Sequence, residues 1–172
     1  MPEGTIFFNK FQALKVRLVF LVVVAAALVM IVAGVNIASY WGLSPADGGV
    51  LRPLPQRLAF GGGVIVLALA MVAGMGFYVS RYVVSMRRVG DELYVSTANR
   101  FVGQGRKIAV DDVQSLDYRA GKTITHKAYI NAPWRKMRIR GIKLPFIIDM
   151  QAEYIDKAGF DNLLASSRRR GV

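Results

Sequence analysis

Residue types that build catalytic and metal sites are scarce in this chain of 172 residues. It contains no cysteine and a single histidine, His126. The lack of cysteine excludes disulfides, thiolate metal sites and a cysteine nucleophile, and one histidine without nearby carboxylates does not hold a transition metal or haem. Asp111, Asp112 and Asp117 lie at a strand end or turn among basic residues, which favours salt links or turn capping over acid–base catalysis. We therefore expect no catalytic residue, no metal site and no cofactor.

One glycine pair could begin a phosphate-binding loop. Gly103 and Gly105 flank a glutamine and precede Arg106 and Lys107. A dinucleotide-binding fingerprint needs a third glycine three residues later and a following helix, whereas a P-loop needs Gly-Lys followed by Ser or Thr. Position 108 is Ile108, and the residues after it alternate as in a strand. The pair is therefore interpreted as a turn between two strands, with glycine at positive φ.

Charge is absent from two long apolar runs, residues 18–38 and 58–79. At about 1.5 Å of rise per residue, either run crosses a hydrocarbon core of roughly 30 Å. The first run is also longer than the apolar region of a signal peptide. We predict transmembrane helices at 18–40 and 58–80, joined by a loop at 41–57 that has three prolines and three glycines. The two helices then form an antiparallel hairpin.

The first 17 residues carry aromatic and basic side chains ahead of the first apolar run. Phe7, Phe8, Phe11 and Leu14 fall near one face of a helix, with basic residues close by. Residues 1–17 are therefore predicted as an interfacial segment, with a turn or two of helix leading into the membrane. A frayed chain end with a few anchoring rings fits the same pattern.

Acidic residues are outnumbered, 11 against 23 basic ones, which gives a net charge of +12. Residues 81–172 hold 18 of the basic and nine of the acidic residues, a net charge of +9. Because this segment follows directly on an apolar run, an anionic membrane surface or an acidic neighbouring subunit is favoured over nucleic acid as the partner. Six basic residues flank the outer ends of the two runs and two lie in the loop, so both termini are expected in the cytoplasm.

The segment 81–172 reads as a small antiparallel β domain. The turn Gly90-Asp91 predicts a hairpin with strands at 82–89 and 92–98. Alternation predicts strands at 106–110 and, as a single strand, at 122–130, and 113–120 is predicted as a further strand. A last hairpin turns at Arg140-Gly141, and helical spacing follows within 156–170. The fold class is therefore membrane α+β: a two-helix transmembrane hairpin followed by a pleckstrin-homology-like (PH-like) domain or half-barrel, closed by a C-terminal helix.

Contact residues are proposed from two patterns. Small residues at four-residue spacing let helix backbones approach closely, either between the two helices or with a partner's helix. Basic residues interleaved with aromatic ones favour anionic lipid or an acidic subunit. The predicted contact residues are Gly34, Ala38, Ala59, Gly63, Ala70, Gly74, Arg87, Arg88, Arg106, Lys107, Trp134, Arg135, Lys136, Arg138 and Arg140.

The order of parts resembles the small two-span inner-membrane proteins of mitochondria that assist assembly of respiratory complexes, chiefly cytochrome c oxidase and complex I. The β domain also resembles the pleckstrin-like domains of bacterial membrane proteins. Because no organelle transit segment is recognisable, the resemblance implies a bacterial relative in the inner membrane. It is carried by "FIID" at 146–149, Phe160-Asp161-Asn162, Arg87-Arg88, Thr97 and "RIRG" at 138–141.

Two functions are expected from these features. The first is a non-catalytic membrane protein that binds subunits of a larger respiratory-type complex, as an assembly factor or an accessory subunit. The alternative is a module that binds anionic phospholipids without an obligate protein partner. Neither function involves nucleic acid.

Overall fold

The computed structural model describes residues 3–99, 105–125 and 128–168. The chain divides into two compact units. One unit is a helical hairpin, Leu18–Phe77, and the other is a β domain made of Met1–Arg17 together with Tyr78–Val172. The predicted fold class, two long apolar helices followed by antiparallel sheets and a short C-terminal helix, is confirmed.

Two helices are long and apolar enough to cross a membrane: α1 (Lys10–Tyr40) and α2 (Leu54–Arg81). Asn9 begins α1 by accepting a hydrogen bond from the Gln12 N–H at 3.2 Å. Pro55 lies in the first turn of α2, where its missing N–H costs no helical hydrogen bond. In the most apolar stretch of 18 residues in each helix, only 11 % is buried within the chain, whereas the core helix of a soluble protein is mostly buried.

The hairpin is closed by small residues and by one arginine. A Cβ on Gly34 would lie 2.7 Å from the Gly61 carbonyl oxygen, and a Cβ on Gly61 would lie 2.9 Å from the Ala38 Cβ. The two helix backbones therefore touch at this level, and only glycine fits there. In the same unit, Arg57 Nη1 donates to the carbonyls of Ala38 and Ser39 at 3.1 and 2.8 Å, which satisfies the free C-terminal end of α1.

The β domain contains two larger sheets and a hairpin. The first sheet has the strand order β10-β1-β2-β3-β4, the second has the order β5-β8-β9, and β6 pairs with β7. The sheets are antiparallel, and α3 follows the last strand. The elements are β1 (Thr5–Phe8), β2 (Val83–Val89), β3 (Glu92–Thr97), β4 (Arg106–Ala109), β5 (Val113–Arg119), β6 (Lys122–Thr125), β7 (Ala128–Asn131), β8 (Trp134–Ile139), β9 (Phe146–Asp149), β10 (Tyr154–Ile155) and α3 (Lys157–Arg168).

The core of this domain lies between the two larger sheets and α3. Met86 and Leu93 from the first sheet and Met137 from the second are fully buried, as the alternation of apolar residues predicts. Phe160 and Leu163 on α3 close the core, and the Phe160 ring meets the Phe7 ring edge to face at 6.3 Å. The C-terminal helix therefore contributes directly to the stability of the domain.

The structure corrects the prediction for the N-terminal segment. Residues 5–8 form β1, which lies between β2 and β10, and helix begins only at Lys10. The register shifts between Thr5 and Phe7, so that Ile6 and Phe7 are both buried although they are adjacent. The helical reading placed Phe7 and Phe8 on a membrane face, whereas Phe7 belongs to the core of the β domain.

A second correction concerns the single strand predicted at 122–130. The structure has two strands there, β6 and β7, which pair with each other from Lys122 opposite Asn131 to Thr125 opposite Ala128. Alternation alone does not show where a run folds back on itself. His126 lies outside the described residues.

The glycine pair that precedes β4 is described only in part. Gly103 lies outside the described residues, and Gly105 does not have a positive φ, unlike the glycine predicted for a turn. A Cβ on Gly105 would lie 3.3 Å from the Tyr94 Cβ and 3.2 Å from the Ser96 Oγ. Glycine at this position therefore allows close approach to β3, and β4 follows it as expected.

Candidate functional site

The predicted small residues of the two helices divide into two groups. Gly34 is buried and Ala38 is half-buried, and both pack against α2 within the hairpin. Ala59, Gly63, Ala70 and Gly74 on α2 are all exposed. A Cβ added to Gly63 or to Gly74 would meet nothing within 4 Å. The hairpin therefore uses the pair on α1 and leaves the four residues on α2 exposed.

These four residues form one continuous surface, which we call the open face of α2. At 100° per residue they fall within about 60° of one another around the helix axis. The face that packs on α1 carries Gly61, Ile65 and the fully buried Ala68, and lies about 180° away. The open face spans four turns of an apolar helix, and its small side chains would let another helix approach closely.

A row of basic and aromatic side chains crosses the first sheet of the β domain. Arg87, Tyr94 and Lys107 are directly opposite one another on β2, β3 and β4. The Arg87 guanidinium lies 5.5 Å from the centre of the Tyr94 ring, and Lys107 Nζ forms an ion pair with Glu92 at 2.5 Å. The hydrogen bond from Lys107, followed by that from the Tyr94 hydroxyl, lowers the pKa of Glu92. Glu92 therefore neutralises part of the positive charge of this row.

The other predicted basic contacts have different surroundings and do not form one patch. Arg88 Nε donates to the Gly90 carbonyl at 2.9 Å within its own turn. Arg135 is half-buried, and its Nη1 donates to the Leu116 carbonyl at 3.3 Å. Arg138 and Arg140 are exposed on β8 and in the turn after it. Arg135 therefore has a packing role, while Arg138 and Arg140 remain accessible to a partner.

A polar pocket of about 220 Å³ lies in the β domain where α2 ends, and we call it the arginine pocket. Arg81 comes from the last turn of α2 and Arg106 from the start of β4. Arg81 Nη1 donates to the Leu144 carbonyl at 3.1 Å, and its guanidinium lies 5.5 Å from the centre of the Phe146 ring. The described lining residues are Ser80, Arg81, Val95, Thr97, Asn99, Arg106 and Phe146.

The composition of the arginine pocket favours an anion. Two guanidinium groups and the hydroxyl or amide groups of Ser80, Thr97 and Asn99 can donate hydrogen bonds, and none of the described lining residues is acidic. Arginine matches the geometry of phosphate and carboxylate oxygens. The volume is below the roughly 300 Å³ at which pockets for drug-sized ligands begin, but it accommodates a phosphate-sized group. Arg81 also offsets the partial negative charge at the C-terminal end of α2.

Sequence reasoning did not select this pocket as a site. In the sequence, Arg81 is one of the six basic residues that predict the orientation of the helices, and Thr97 is one of the residues that carry the family resemblance. Their separation in the chain hides the fact that the end of α2 meets the ends of β3 and β4. A basic residue directly after an apolar run was the available signal. Within the described residues, no group of three or more His, Cys, Asp or Glu side chains could hold a metal ion.

Comparisons with protein-family models, with curated proteins and with solved structures found no match to this chain. The functional argument therefore depends on the open face of α2 and on the arginine pocket.

Proposed function

We propose that this chain is a non-catalytic integral membrane protein that binds subunits of a larger membrane complex, as an assembly factor or an accessory subunit. The resemblance described above makes a respiratory-type energy-converting complex the expected client. The proposed location is the inner membrane of a bacterium, with both termini in the cytoplasm. The partner would be held through the open face of α2.

The observation that supports this proposal is the division of the small residues. If these residues served only to join α1 to α2, all of them would lie between the two helices. Instead Gly63 and Gly74 have open space on the side of α2 that faces away from α1. In a membrane, helix association depends on close packing rather than on the hydrophobic effect, so small residues on an outer face favour a further helix.

Co-purification in a mild detergent tests the proposal. The Gly63→Leu and Gly74→Leu variants add bulk to the open face, and each is expected to reduce recovery of the partner subunits by tenfold or more. Because a Cβ at either position meets nothing within 4 Å, the hairpin itself is expected to keep its fold. Mass spectrometry of the tagged, purified chain gives the stoichiometry of each partner.

Ala26→Leu is the matched control, since Ala26 is an exposed small residue on α1. It is expected to retain the partners at the level of the unchanged chain. The proposal is overturned if the unchanged chain migrates without a stoichiometric partner, or if both glycine variants retain partners as the control does.

The arginine pocket supports a second function, the binding of anionic phospholipid. Its hydrogen-bond donors line a space that accommodates a phosphate group. The pocket lies at the end of an apolar helix, which is where a lipid headgroup would be expected in a membrane. This function needs no protein partner and uses residues separate from the open face. The two functions can therefore be separated by variants.

Lipid retention by the purified full chain tests this second function. Arg81→Gln together with Arg106→Gln removes both guanidinium charges and is expected to lower the amount of bound phosphatidylglycerol at least fivefold in quantitative lipid mass spectrometry. Arg138→Gln with Arg140→Gln removes two exposed charges elsewhere in the domain and is expected to change it less than twofold. Equal losses in the two double variants would show that only the overall charge of the domain matters.

A further inference from the structure

Three aromatic rings and one carboxylate surround a separate cavity in the β domain, which we call the aromatic cage. Tyr78 and Tyr82 come from the end of α2 and the residue after it, and Trp134 and Asp149 come from β8 and β9. The cavity has a volume of about 330 Å³ and is also lined by Ala132, Pro133 and Ile147. This volume falls at the lower end of the range for small-molecule pockets.

Strand register places Trp134 and Asp149 on one face of their sheet. The two residues are directly opposite each other in the β8–β9 pair, and Met137 is opposite Phe146 three positions further along. Because side chains alternate along a strand, the buried Met137 and Phe146 point to the core and Trp134 and Asp149 point away from it. A bridge between Tyr82 and Ile147 joins the end of α2 to the same strand.

The Asp149 carboxylate is held in place by two hydrogen bonds. The Tyr82 hydroxyl donates to its Oδ2 at 3.0 Å, and the Gln151 N–H donates to its Oδ1 at 2.8 Å. Burial and the negative charge of Asp149 raise the pKa of the Tyr82 hydroxyl, which therefore stays a donor. Among the residues that the structure describes, no lysine or arginine forms an ion pair with Asp149. Its negative charge is therefore available inside the cage.

The rings add a second attraction for a positive charge. The Tyr78 and Tyr82 ring centres are 5.7 Å apart with a 42° tilt, and Tyr78 is 38 % exposed. Lys136 Nζ lies 5.9 Å from the centre of the Trp134 ring, so the attraction for an added cation comes mainly from the two tyrosine rings and the Asp149 carboxylate. Aromatic rings around a cavity are the arrangement that recognises quaternary ammonium groups, and a carboxylate adds a direct charge interaction.

We propose that the aromatic cage binds the ammonium group of a zwitterionic phospholipid headgroup, such as phosphatidylcholine or phosphatidylethanolamine. A lipid source is favoured because Tyr78 lies in the last turn of a helix that is long and apolar enough to span a membrane, and tyrosine and tryptophan concentrate at headgroup level. Among the described lining residues, none belongs both to the cage and to the open face of α2 or the arginine pocket.

Fluorescence of Trp134 reports on the cage directly. The chain has two tryptophans, and Trp41→Phe leaves Trp134 as the remaining one. The full-length Trp41→Phe protein is placed in nanodiscs of phosphatidylglycerol and titrated with tetramethylammonium or phosphocholine. A saturable change in Trp134 emission is expected with both compounds. The compound 3,3-dimethylbutan-1-ol, the uncharged isostere of choline, is expected to give none, because it lacks the positive charge.

Three variants connect this response to the cage. Tyr78→Leu removes one ring at a partly exposed position, and Asp149→Asn removes the charge while it keeps hydrogen-bonding atoms. Each is expected to weaken binding of tetramethylammonium at least tenfold. Tyr154→Leu removes a tyrosine of matching exposure, 37 %, outside the cage and is expected to leave binding unchanged. Circular dichroism of each variant reports whether the domain is folded.

Nanodiscs of phosphatidylcholine distinguish a lipid source from a free ammonium compound. Headgroups that fill the cage are expected to abolish the response to added tetramethylammonium. A full response in these nanodiscs would overturn the assignment to a lipid headgroup. The cage itself is overturned if no saturable change occurs in phosphatidylglycerol, if the uncharged isostere gives the same change, or if folded Tyr78→Leu protein binds like the unchanged chain.

Discussion

Arg135 lies over two aromatic rings, with its guanidinium 5.8 Å from the centres of both Tyr118 and Phe160. The sequence places it in a run of basic residues that look equivalent as lipid or subunit contacts. Its contacts with the Leu116 carbonyl and with the Tyr118 and Phe160 rings distinguish it from Arg138 and Arg140, which are exposed. Side chains that share a charge can therefore have different roles, and the sequence cannot separate them without the tertiary contacts.

Phe160 on α3 is expected to contribute strongly to the stability of the β domain. Its ring is 2 % exposed and contacts Phe7 from the N-terminal strand and Arg135 from β8. Phe160→Ala is therefore expected to lower the free energy of unfolding of the β domain by about 3–5 kcal/mol, because it leaves a cavity in the core. Denaturant titration followed by circular dichroism measures this change in the detergent-solubilised chain.

Leu144→Ala is the control, since Leu144 is 44 % exposed and leaves no enclosed cavity. A loss for Phe160→Ala as small as that of the control would mean that α3 does not complete the core.

Strands were predicted well at the scale of elements wherever apolar residues alternate on one face. The strands β3 and β4 and the β8–β9 hairpin follow this pattern, because each has one buried and one more exposed face. In β2 and β5 a bulge interrupts the alternation, so that the buried residues lie three positions apart. β1 was missed because its bulge puts two adjacent residues, Ile6 and Phe7, into the core, so the alternation is lost. Its β-branched and aromatic residues were the signal available for a strand.

The two long helices were also predictable, because about twenty uncharged residues have few alternatives. The sequence does not show, however, which face of each helix packs within the hairpin and which face is left exposed. The four-residue spacing of small residues is the same in the α1 pair, Gly34 and Ala38, as in the two α2 pairs, which are Ala59 with Gly63 and Ala70 with Gly74. Which pair joins the hairpin depends on the side of α2 that meets α1, and this is a property of the packed pair of helices.

The molecule has three surfaces that differ in their chemistry. The open face of α2 offers close packing to a helix, the arginine pocket offers hydrogen-bond donors to an anion, and the aromatic cage offers rings and a carboxylate to a cation. The sequence predicted the first and the general basic character of the second, but not the cage, because its residues are up to 71 positions apart. All three are proposed as binding surfaces.

Photo-crosslinking in intact membranes tests the central claim, that the open face of α2 contacts a partner's helix. A photoreactive residue at position 63 or 74 is expected to form a defined crosslink to another membrane protein. The control is position 69 on the same helix, where Leu69 is exposed but points about 110° away from the open face. Strong crosslinks at 63 and 74 with a weak one at 69 are predicted. Crosslinks only to lipid at 63 and 74, or equal protein crosslinks at all three positions, would contradict the account.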